Sequence, residues 1–518
     1  MLNDPETIRA AVDERIEAER RTYAPEPEPK TPTKQTAFSS KEILDALGRN
    51  EDGDAWLYVE LNRDHFRYDA AAGRWYTLAG HFWERDTLAE ATRAIDGVID
   101  IYAQEANRQA WQRAAAEKAG RTEDAKRRRE TEDALFKRIR ALQSVARKEN
   151  VLTLARTGAD SLAIRGDEWD RDPWLLGCLN GVVDLRTAEH RPGRPDDFIK
   201  TIAPVEWKEI DEPAPTWERF LTDICSDNHD LPAYLQRLFG YGITGLTNWH
   251  VYPIFYGPQG RNGKGTFLET LKFVLGDLAY KARSEILLES RNAPSRGSAD
   301  ADTLALRGKR IVWASETSEG RRLNASRIKE LCGGDTLNAR AVYGRDPVEF
   351  SPSHLLILLT NDRPQAPASD AALWERIHLI PFNIRFVDDP RGPNEKKADH
   401  DLLQKLKMEA SGVLSWMVKG CLIWQREGLK PPETVLGATR EYRKEEDLIE
   451  RFISDRCLTG PTYETQAGAL YKIYQSWASE MGLKPMTGIR FGKEMQTRFN
   501  SYQKRHVFYV GIGLLDGE

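Results

Sequence analysis

A chain of 518 residues with 75 Lys and Arg against 80 Asp and Glu carries a formal charge of −5, so any contact with nucleic acid must come from local basic patches and not from a cationic whole. The length allows two to four domains at about 100–200 residues each. Cys178, Cys225, Cys332, Cys421 and Cys457 stand far apart with no CxxC pair and no His cluster, which points to neither a disulfide framework nor a zinc site and fits a reducing compartment.

The amino terminus, MLNDPETIRAAVDERIEAER, is charged throughout and lacks the apolar centre of a targeting peptide. No window approaches the ~20 apolar residues of a membrane span, so a cytoplasmic protein without membrane contact is expected. Residues 5–24 predict a short, very polar helix, and the PEPEPKTPTK that follows alternates proline with charge and cannot pack a core; residues 1–36 read as a flexible leader.

Residues 37–210 predict a mixed and helical amino-terminal region. WYTLAGHFWERD, with Trp75 and Trp83, reads as short strands and turns, and residues 87–157 read as helices. The run RQAWQRAAAEKAGRTEDAKRRRETEDALFKRIRAL interleaves acids with its bases at i,i+4 spacing, the pattern of a solvated helix face and not of a nucleic-acid arm. WLLGCLNGVVDLRT is a second turn-rich stretch. Helical segments beginning at Pro213 and Leu231 then lead into a region spanning 211–440.

That region holds the most informative segment, Ile254 to Leu271, IFYGPQGRNGKGTFLETL, which runs apolar strand, glycine-rich turn, lysine, helix. The order builds a triphosphate cradle: Gly257, Gly260, Gly263 and Gly265 let backbone N–H groups approach phosphates, Asn262 lies inside the turn, Lys264 adds a cation, and the helix presents its positive end. Strict GxxxxGK[ST] spacing would place Pro258 at the first glycine and Gly265 at the Mg2+-binding hydroxyl. Gly257 and Thr266 each lie one residue away, so ATP is the expected ligand and the direct Mg2+ ligand stays open.

Three apolar runs between 254 and 382 each end in polar positions: IFYG, IVWASE ending at Glu316, and LLILLTN ending at Asn361. Runs apolar on both faces suit central strands of a parallel sheet, whose carboxyl ends gather functional groups on one edge. Hydrolysis needs Mg2+ and an oriented water, for which Glu316 is the acid at a neighbouring strand end and Asn361 the amide able to hold water or sense the terminal phosphate. Glu319 competes with Glu316 but lies past the strand. Arg376, in DAALWERIHLIPF, sits on an apparent helix before the next apolar run, where its planar guanidinium suits a neighbouring subunit's phosphate charge.

TLNARAVYGRDPVEFSP alternates Leu337, Ala339, Ala341 and Tyr343 on one side, turns at GRDP and resumes, a β-hairpin with Arg345 at its tip. With Lys329 and Arg340 nearby, the tip is either a phosphate-backbone contact weakened by salt or an ordinary surface hairpin. Residues 441–518 predict helices at DLIERFISDRC, ALYKIYQSWASE and TGIRFGKEMQTRF, then strands in YQKRHVFYVGIGL. Helices followed by a short hairpin suggest a winged-helix-like domain with Arg490, Lys493 and Arg498 on the recognition helix, or else a helical cap with solvated bases.

Taken in order, GCLNGVVDLRT, LQRLFGYGITGLT, NGKGTF, GKRIVWASE, IKELCGGDTLNARAVY, ILLTNDRP, LWERIHLIPF, GVLSWMVKGCLIW and YRKEEDLIERF resemble the phage and plasmid primase-helicase family. That family includes the poxvirus primase-helicase type and belongs to the superfamily III helicases of the AAA+ class. The resemblance covers about residues 170–460. It implies an α/β fold with an AAA+ P-loop ATPase domain, and a homo-oligomeric ring, usually a hexamer, that hydrolyses ATP between subunits and draws single-stranded DNA through its centre.

Residue by residue, it makes Lys264 and Thr266 the phosphate-loop pair, Glu316 the Walker B acid, Asn361 the sensor and Arg376 the finger supplied in trans. It places Lys329, Arg340 and Arg345 in the hairpin region. Relatives often carry a primase-polymerase domain upstream; the roughly 170 preceding residues show no compact set of paired acids plus His, so a helicase without primase activity is expected, with a separate primase or polymerase as partner and a bacterial host cytoplasm if phage- or plasmid-encoded. The rivals are a DNA-binding initiator on origin duplex DNA with little unwinding, and a small-molecule kinase, whose loops also end in GKGT. The amino-terminal residues are expected to act as a collar, since closed head-to-tail rings need matching surfaces.

Overall fold

A computed structural model of the chain describes residues 38–515 except 159, 227, 290–300, 317–319 and 341–347. The expected leader, Glu319 and Arg345 therefore lie outside the described residues. The chain divides into two compact units, one formed by residues up to Arg171 with Gly193–Lys200, the other by Asp172–Pro192 and the residues from Thr201 onward.

In the first unit, α1 (Ser40–Gly48) begins with a capping box: Ser39 Oγ accepts from Glu42 N, and the Glu42 carboxylate accepts from Ser39 N at 2.8 Å. Then come α2 (Glu51–Asn62), a meander of β1 (Phe66–Asp69), β2 (Arg74–Ala79) and β3 (Phe82–Arg85), and the helices α3 (Asp96–Lys118), α4 (Thr122–Leu142) and α5 (Val145–Ala155). Strand β4 (Ala163–Ile164) closes the sheet parallel to β1. The interleaved charges pair within and between α3 and α4, as in Arg113 with Glu117 and Glu132 and Arg127 with Asp124. The helices converge on Asp54, which has no exposed surface and accepts from Tyr102 at 2.8 Å, Arg138 at 2.6 Å and Arg147 at 2.7 Å. A carboxylate removed from water persists only when its lone pairs are filled this way.

In the second unit, the antiparallel strands β5 (Leu175–Cys178), β6 (Gly181–Asp184) and β7 (Glu189–Arg191) precede α6 (Pro215–Ile224) and α7 (Asp230–Gly242). The central sheet follows: β8 (Tyr252–Tyr256), then α8 (Lys264–Leu275), β9 (Ala279–Ala282), β10 (Ile311–Glu316), α9 (Ala325–Leu331), the hairpin β11 (Leu337–Ala339) and β12 (Val348–Phe350), β13 (Leu355–Thr360) and β14 (Ile377–Pro381). Its order is β14-β8-β13-β10-β9 and every neighbouring pair is parallel. All six residues of β13 are buried, as sequences without polar alternation require when helices cover both faces. The helix expected around Arg376 is only Ala371–Trp374, so Arg376 lies past its end, immediately before β14.

Beneath α8, Phe267 packs on Phe239 at 4.9 Å, Trp217 at 5.1 Å and Phe255 at 5.8 Å between ring centres. Truncating such a buried ring to Ala costs about 3–5 kcal/mol, so this cluster anchors the helix that follows the glycine-rich turn. After β15 (Arg385–Val387) and β16 (Glu395–Lys397) come α10 (Leu402–Met408), α11 (Ala410–Glu427) and α12 (Glu433–Glu446). Helices α7 and α11 cross at glycines: a Cβ on Gly240 would stand 2.1 Å from Cys421 N, and one on Gly420 would stand 2.0 Å from Gln236 O.

The carboxyl-terminal module comprises α13 (Leu448–Arg456), β17 (Cys457–Gln466), α14 (Ala467–Glu480), α15 (Gly488–Gln496), β18 (Ser501–Gln503) and β19 (Val507–Leu514), with sheet order β17-β19-β18. Strand β17 escapes prediction because Gly460 and Pro461 interrupt it; the pairing with β19 shifts register there, between Thr459 and Glu464. All five cysteines are buried and none is in a disulfide. Among the described residues no helix is long and apolar enough to cross a membrane.

Candidate active site

The seven residues 257–263 join β8 to α8. Four of them, Gln259, Gly260, Arg261 and Gly263, have positive φ, a backbone that only glycine adopts freely. Gly263 occupies the N-cap of α8 and no side chain caps that end, so the first-turn amides stay open towards the loop. Asn262, 3% exposed, fastens the loop by donating from Nδ2 to Ile384 O at 2.9 Å. Arg261 O accepts from Phe386 N at 2.9 Å.

Lys264 is the first residue of α8 and is 7% exposed. Its Nζ donates to Gly257 O at 2.9 Å, Asn262 Oδ1 at 3.2 Å and Asn361 Oδ1 at 3.1 Å. Burial pushes its pKa down to about 8, because three neutral oxygens replace water less well than an anion would. A Cβ at Gly257 would lie 2.6 Å from both Lys264 Nζ and Asn262 Oδ1, whereas at Gly260 and Gly265 it would meet no protein atom within 4 Å. The cradle is closed beneath by side chains and open above, which fits a chain of phosphates.

Parallel register sets the other groups. Thr360 of β13 pairs with Tyr256 of β8 and with Glu316 of β10, so Glu316 ends its strand one residue short of the level at which Gly257 and Asn361 leave theirs, on three adjacent strands about 4.8 Å apart. Glu316 is 7% exposed, and its carboxylate lies 3.8 Å from Arg321 Nε. Thr266, on α8, lines a cavity of about 400 Å3 together with Phe220, Phe386 and Leu402, the exposed Arg261, and Asp388 and His400.

Arg376 is not in this group. Its carbonyl accepts from Tyr252 N at 2.6 Å, at the amino end of β8, about 16 Å from the phosphate-loop level at ~3.3 Å per residue. Its Nη1 donates to Ala372 O at 2.6 Å, and its Nε is buried without a hydrogen bond. Lys329, on α9, is held by Asp370 at 2.8 Å, and Arg340 is exposed at the end of β11. On α15, Arg490 and Lys493 are exposed. Arg498, beyond its end, is engaged by Glu494 at 2.9 Å and Asp447 at 2.7 Å. A residue missed by motif spacing is Arg363, two places after Asn361, whose guanidinium lies 5.0 Å from the centre of the Tyr256 ring; a basic residue just past a strand end was its only signal.

Residues 55–226 match the family described as "D5 N terminal like", 255–376 a family of unknown function, and 444–510 the family described as "Poxvirus D5 protein-like". The chain is similar to "Putative helicase L207/L206" of Acanthamoeba polyphaga mimivirus, 29% identical over 415 residues, covering 76% of this chain and 42% of that protein. It is 26% identical over 390 residues to "Putative helicase 022R" of Frog virus 3, covering 61% and 39%. To "Putative primase C962R" of African swine fever virus, strain Badajoz 1971 Vero-adapted, it is 23% identical over 350 residues, covering 63% and 35%. The chain thus spans 42% or less of each of these relatives. Among solved structures, the apo structure of the NrS-1 C-terminal region is 13% identical with a TM-score of 0.47, covering 89% of this chain and 99% of that one.

Proposed function

From the premise that the chain belongs to the D5-type primase-helicase family, we propose that it is an ATP-driven replicative DNA helicase of a phage, plasmid or related mobile element. Its fold on this reading is an AAA+ domain followed by a winged-helix-like one. It assembles as a ring, of six copies, and moves along single-stranded DNA. The observation that carries this reading is the three-way contact of the buried Lys264 ammonium with Gly257, Asn262 and Asn361, one strand from Glu316.

Lys264 binds the β- and γ-phosphates of ATP, and the open amides of the loop and of the first turn of α8 hold the remaining oxygens. The Thr266 hydroxyl and the Glu316 carboxylate would hold Mg2+ as oxygen donors, and the ion would neutralise phosphate charge. Glu316 also accepts the proton of the attacking water, and Asn361 orients that water against the terminal phosphate. The cavity beside Thr266 takes the base and ribose, with Phe220, Phe386 and Leu402 as its apolar wall.

Arg376, at the far edge of the sheet, acts on the nucleotide of the neighbouring copy, where its planar donors meet charge developing on the transferred group. Arg340 and the hairpin it opens face the DNA thread, and Arg490 and Lys493 contact duplex at an origin. A second reading, an ATP-regulated initiator with little unwinding, is favoured by those same exposed bases on α15. The deciding experiment is unwinding of a tailed duplex. Wild type opens it and hydrolyses ATP faster with single-stranded DNA, while Lys264→Ala does neither; single-stranded DNA that leaves turnover unchanged would defeat the helicase reading.

A further inference from the structure

Residues 361–368 leave the carboxyl end of β13 and are fastened on two sides. Gln365 N donates to Arg321 O at 2.8 Å and Gln365 O accepts from Leu323 N at 2.9 Å, which ties the segment to the strand edge where Arg321 approaches Glu316. On the other side lies the last turn of α12. The Arg363 guanidinium pairs with Glu445, the Tyr442 hydroxyl donates to Pro364 O, Ala366 N donates to Glu446 at 2.9 Å, and Arg443 Nε donates to Ala368 O at 3.3 Å.

Helix α12 ends at Glu446 and α13 begins at Leu448, so Asp447 alone separates them. Asp447 is doubly committed: one oxygen caps α13 through Glu450 N at 3.0 Å, and the other accepts from Arg498 at 2.7 Å. From the Lys264 ammonium to the end of α15 the contacts are therefore continuous: Asn361, two residues of main chain to Arg363, its ion pair to Glu445, the helix end, Asp447, Arg498. No slack linker interrupts them.

Arg363 Nε is buried with no hydrogen bond while Nη1 of the same side chain holds Glu445. An unpaired buried donor disfavours the arrangement that contains it, so a small displacement that gave this N–H a partner would be favoured. Such a displacement is expected when phosphates take the Lys264 ammonium away from Asn361, two residues upstream.

We propose that Arg363 is a positioning residue whose ion pair with Glu445 transmits occupancy of the phosphate loop to the carboxyl-terminal module at 448–515. The proposal rests on the nucleotide-site reading above. Its physical content is one joint, at 363 and 445, whose geometry both the loop and the module bias.

The test is hydrogen exchange on the full chain, with and without Mg2+ and a non-hydrolysable ATP analogue. In the wild type, nucleotide slows exchange in 254–266 and changes it at least twofold in 443–456. Arg363→Ala keeps the first response and loses the second; Glu445→Gln, which removes the charge of the same pair from an exposed side chain and leaves the core intact, weakens the second at least twofold and keeps the first, and Arg363→Lys retains both. An undiminished response at 443–456 in both Arg363→Ala and Glu445→Gln overturns the proposal. So does a wild type that responds only at 254–266. A wild type silent even at 254–266 removes the nucleotide-site reading and this inference with it.

Discussion

Lys264 Nζ donates to Asn361 Oδ1 across 3.1 Å, joining the first residue of α8 to the first residue after β13, 97 positions later in the chain. On the nucleotide-site reading, phosphate would draw the ammonium away from this oxygen, and Asn361 Nδ2 would donate to the same anion.

Exchanging Lys264 for Ala removes a charge-assisted hydrogen bond worth about 1.5–3 kcal/mol, so nucleotide affinity falls about 10- to 100-fold. Asn361→Ala leaves the ammonium and its other two acceptors in place, so affinity changes less than threefold while turnover drops by at least ~10-fold. Calorimetric titration beside steady-state ATPase assays separates the two. Equal losses of affinity in both variants would contradict the division of labour.

The depressed pKa of Lys264 gives nucleotide binding a pH signature. Below about 8 the ammonium is already charged in the free protein and affinity is flat; above it, binding must recruit a proton, because phosphates favour the charged form, and affinity falls by up to tenfold per pH unit. Lys264→Arg flattens the profile, since a guanidinium stays charged. The same shift acts on stability with opposite sign. The unfolded chain holds this proton up to 10.5 and the folded chain releases it near 8, so its contribution to the nucleotide-free protein's stability rises between those values.

Gly257→Ala is expected to act on the site and not on the fold. The new methyl would stand 2.6 Å from Lys264 Nζ and Asn262 Oδ1, which displaces the ammonium and weakens nucleotide binding at least ~10-fold by removing one charge-assisted hydrogen bond. Gly263→Ala differs, because φ is +80° there and the methyl would meet Ile224 at 2.6 Å. Strain of about 1–3 kcal/mol then lowers the melting temperature as well. Thermal melts alongside titrations distinguish the two glycines.

How much of this site can be read from the chain depends on what is local. The strands β8, β10 and β13 declare themselves because burial on both faces leaves uninterrupted apolar runs, and the glycine-rich turn declares itself because its backbone has positive φ at Gly260 and Gly263, within one short segment. Strand β17 is hidden by Gly460 and Pro461 and stands only through its pairing with β19. Arg363 is hidden for a different reason: its partner Glu445 lies 82 positions away, and nothing in LLTNDRP or YRKEED marks the pair. Arg498 looks like a contact for DNA by its place beside Arg490 and Lys493, yet the fold hands its guanidinium to Glu494 and Asp447.

That distinction separates the basic residues of the carboxyl-terminal module. Arg490→Ala and Lys493→Ala remove exposed charges and leave stability within about 0.5 kcal/mol, while each cation withdrawn from a DNA phosphate lowers the salt dependence of duplex binding by about 0.9 in log–log slope. Arg498→Ala strands the Asp447 and Glu494 carboxylates and destabilises the module by about 1–3 kcal/mol. Binding isotherms across a salt series and melts of the full chain check both. A destabilising Arg490→Ala beside a silent Arg498→Ala would reverse the assignment.

Arg376 stands at the amino end of β14 while the phosphate loop stands at the carboxyl end of β8, its parallel neighbour. A side chain about 16 Å from its own cradle along the strand direction cannot reach its own nucleotide, so if Arg376 acts in hydrolysis it must do so on another copy. Arg376→Ala should then lower turnover about 10³-fold or more, as removal of such a group does in related phosphoryl transfers, with nucleotide affinity per protomer little changed. The decisive measurement mixes Arg376→Ala with Lys264→Ala. Each variant alone leaves every cleft defective, but a mixed ring contains clefts in which an intact Lys264 from one copy faces an intact Arg376 from the next, so ATPase activity should reappear at intermediate ratios. Activity that never exceeds the sum of the two separate variants, in mixtures shown by native mass measurement to have exchanged subunits, would place Arg376 among structural residues, holding Ala372 O and the start of β14.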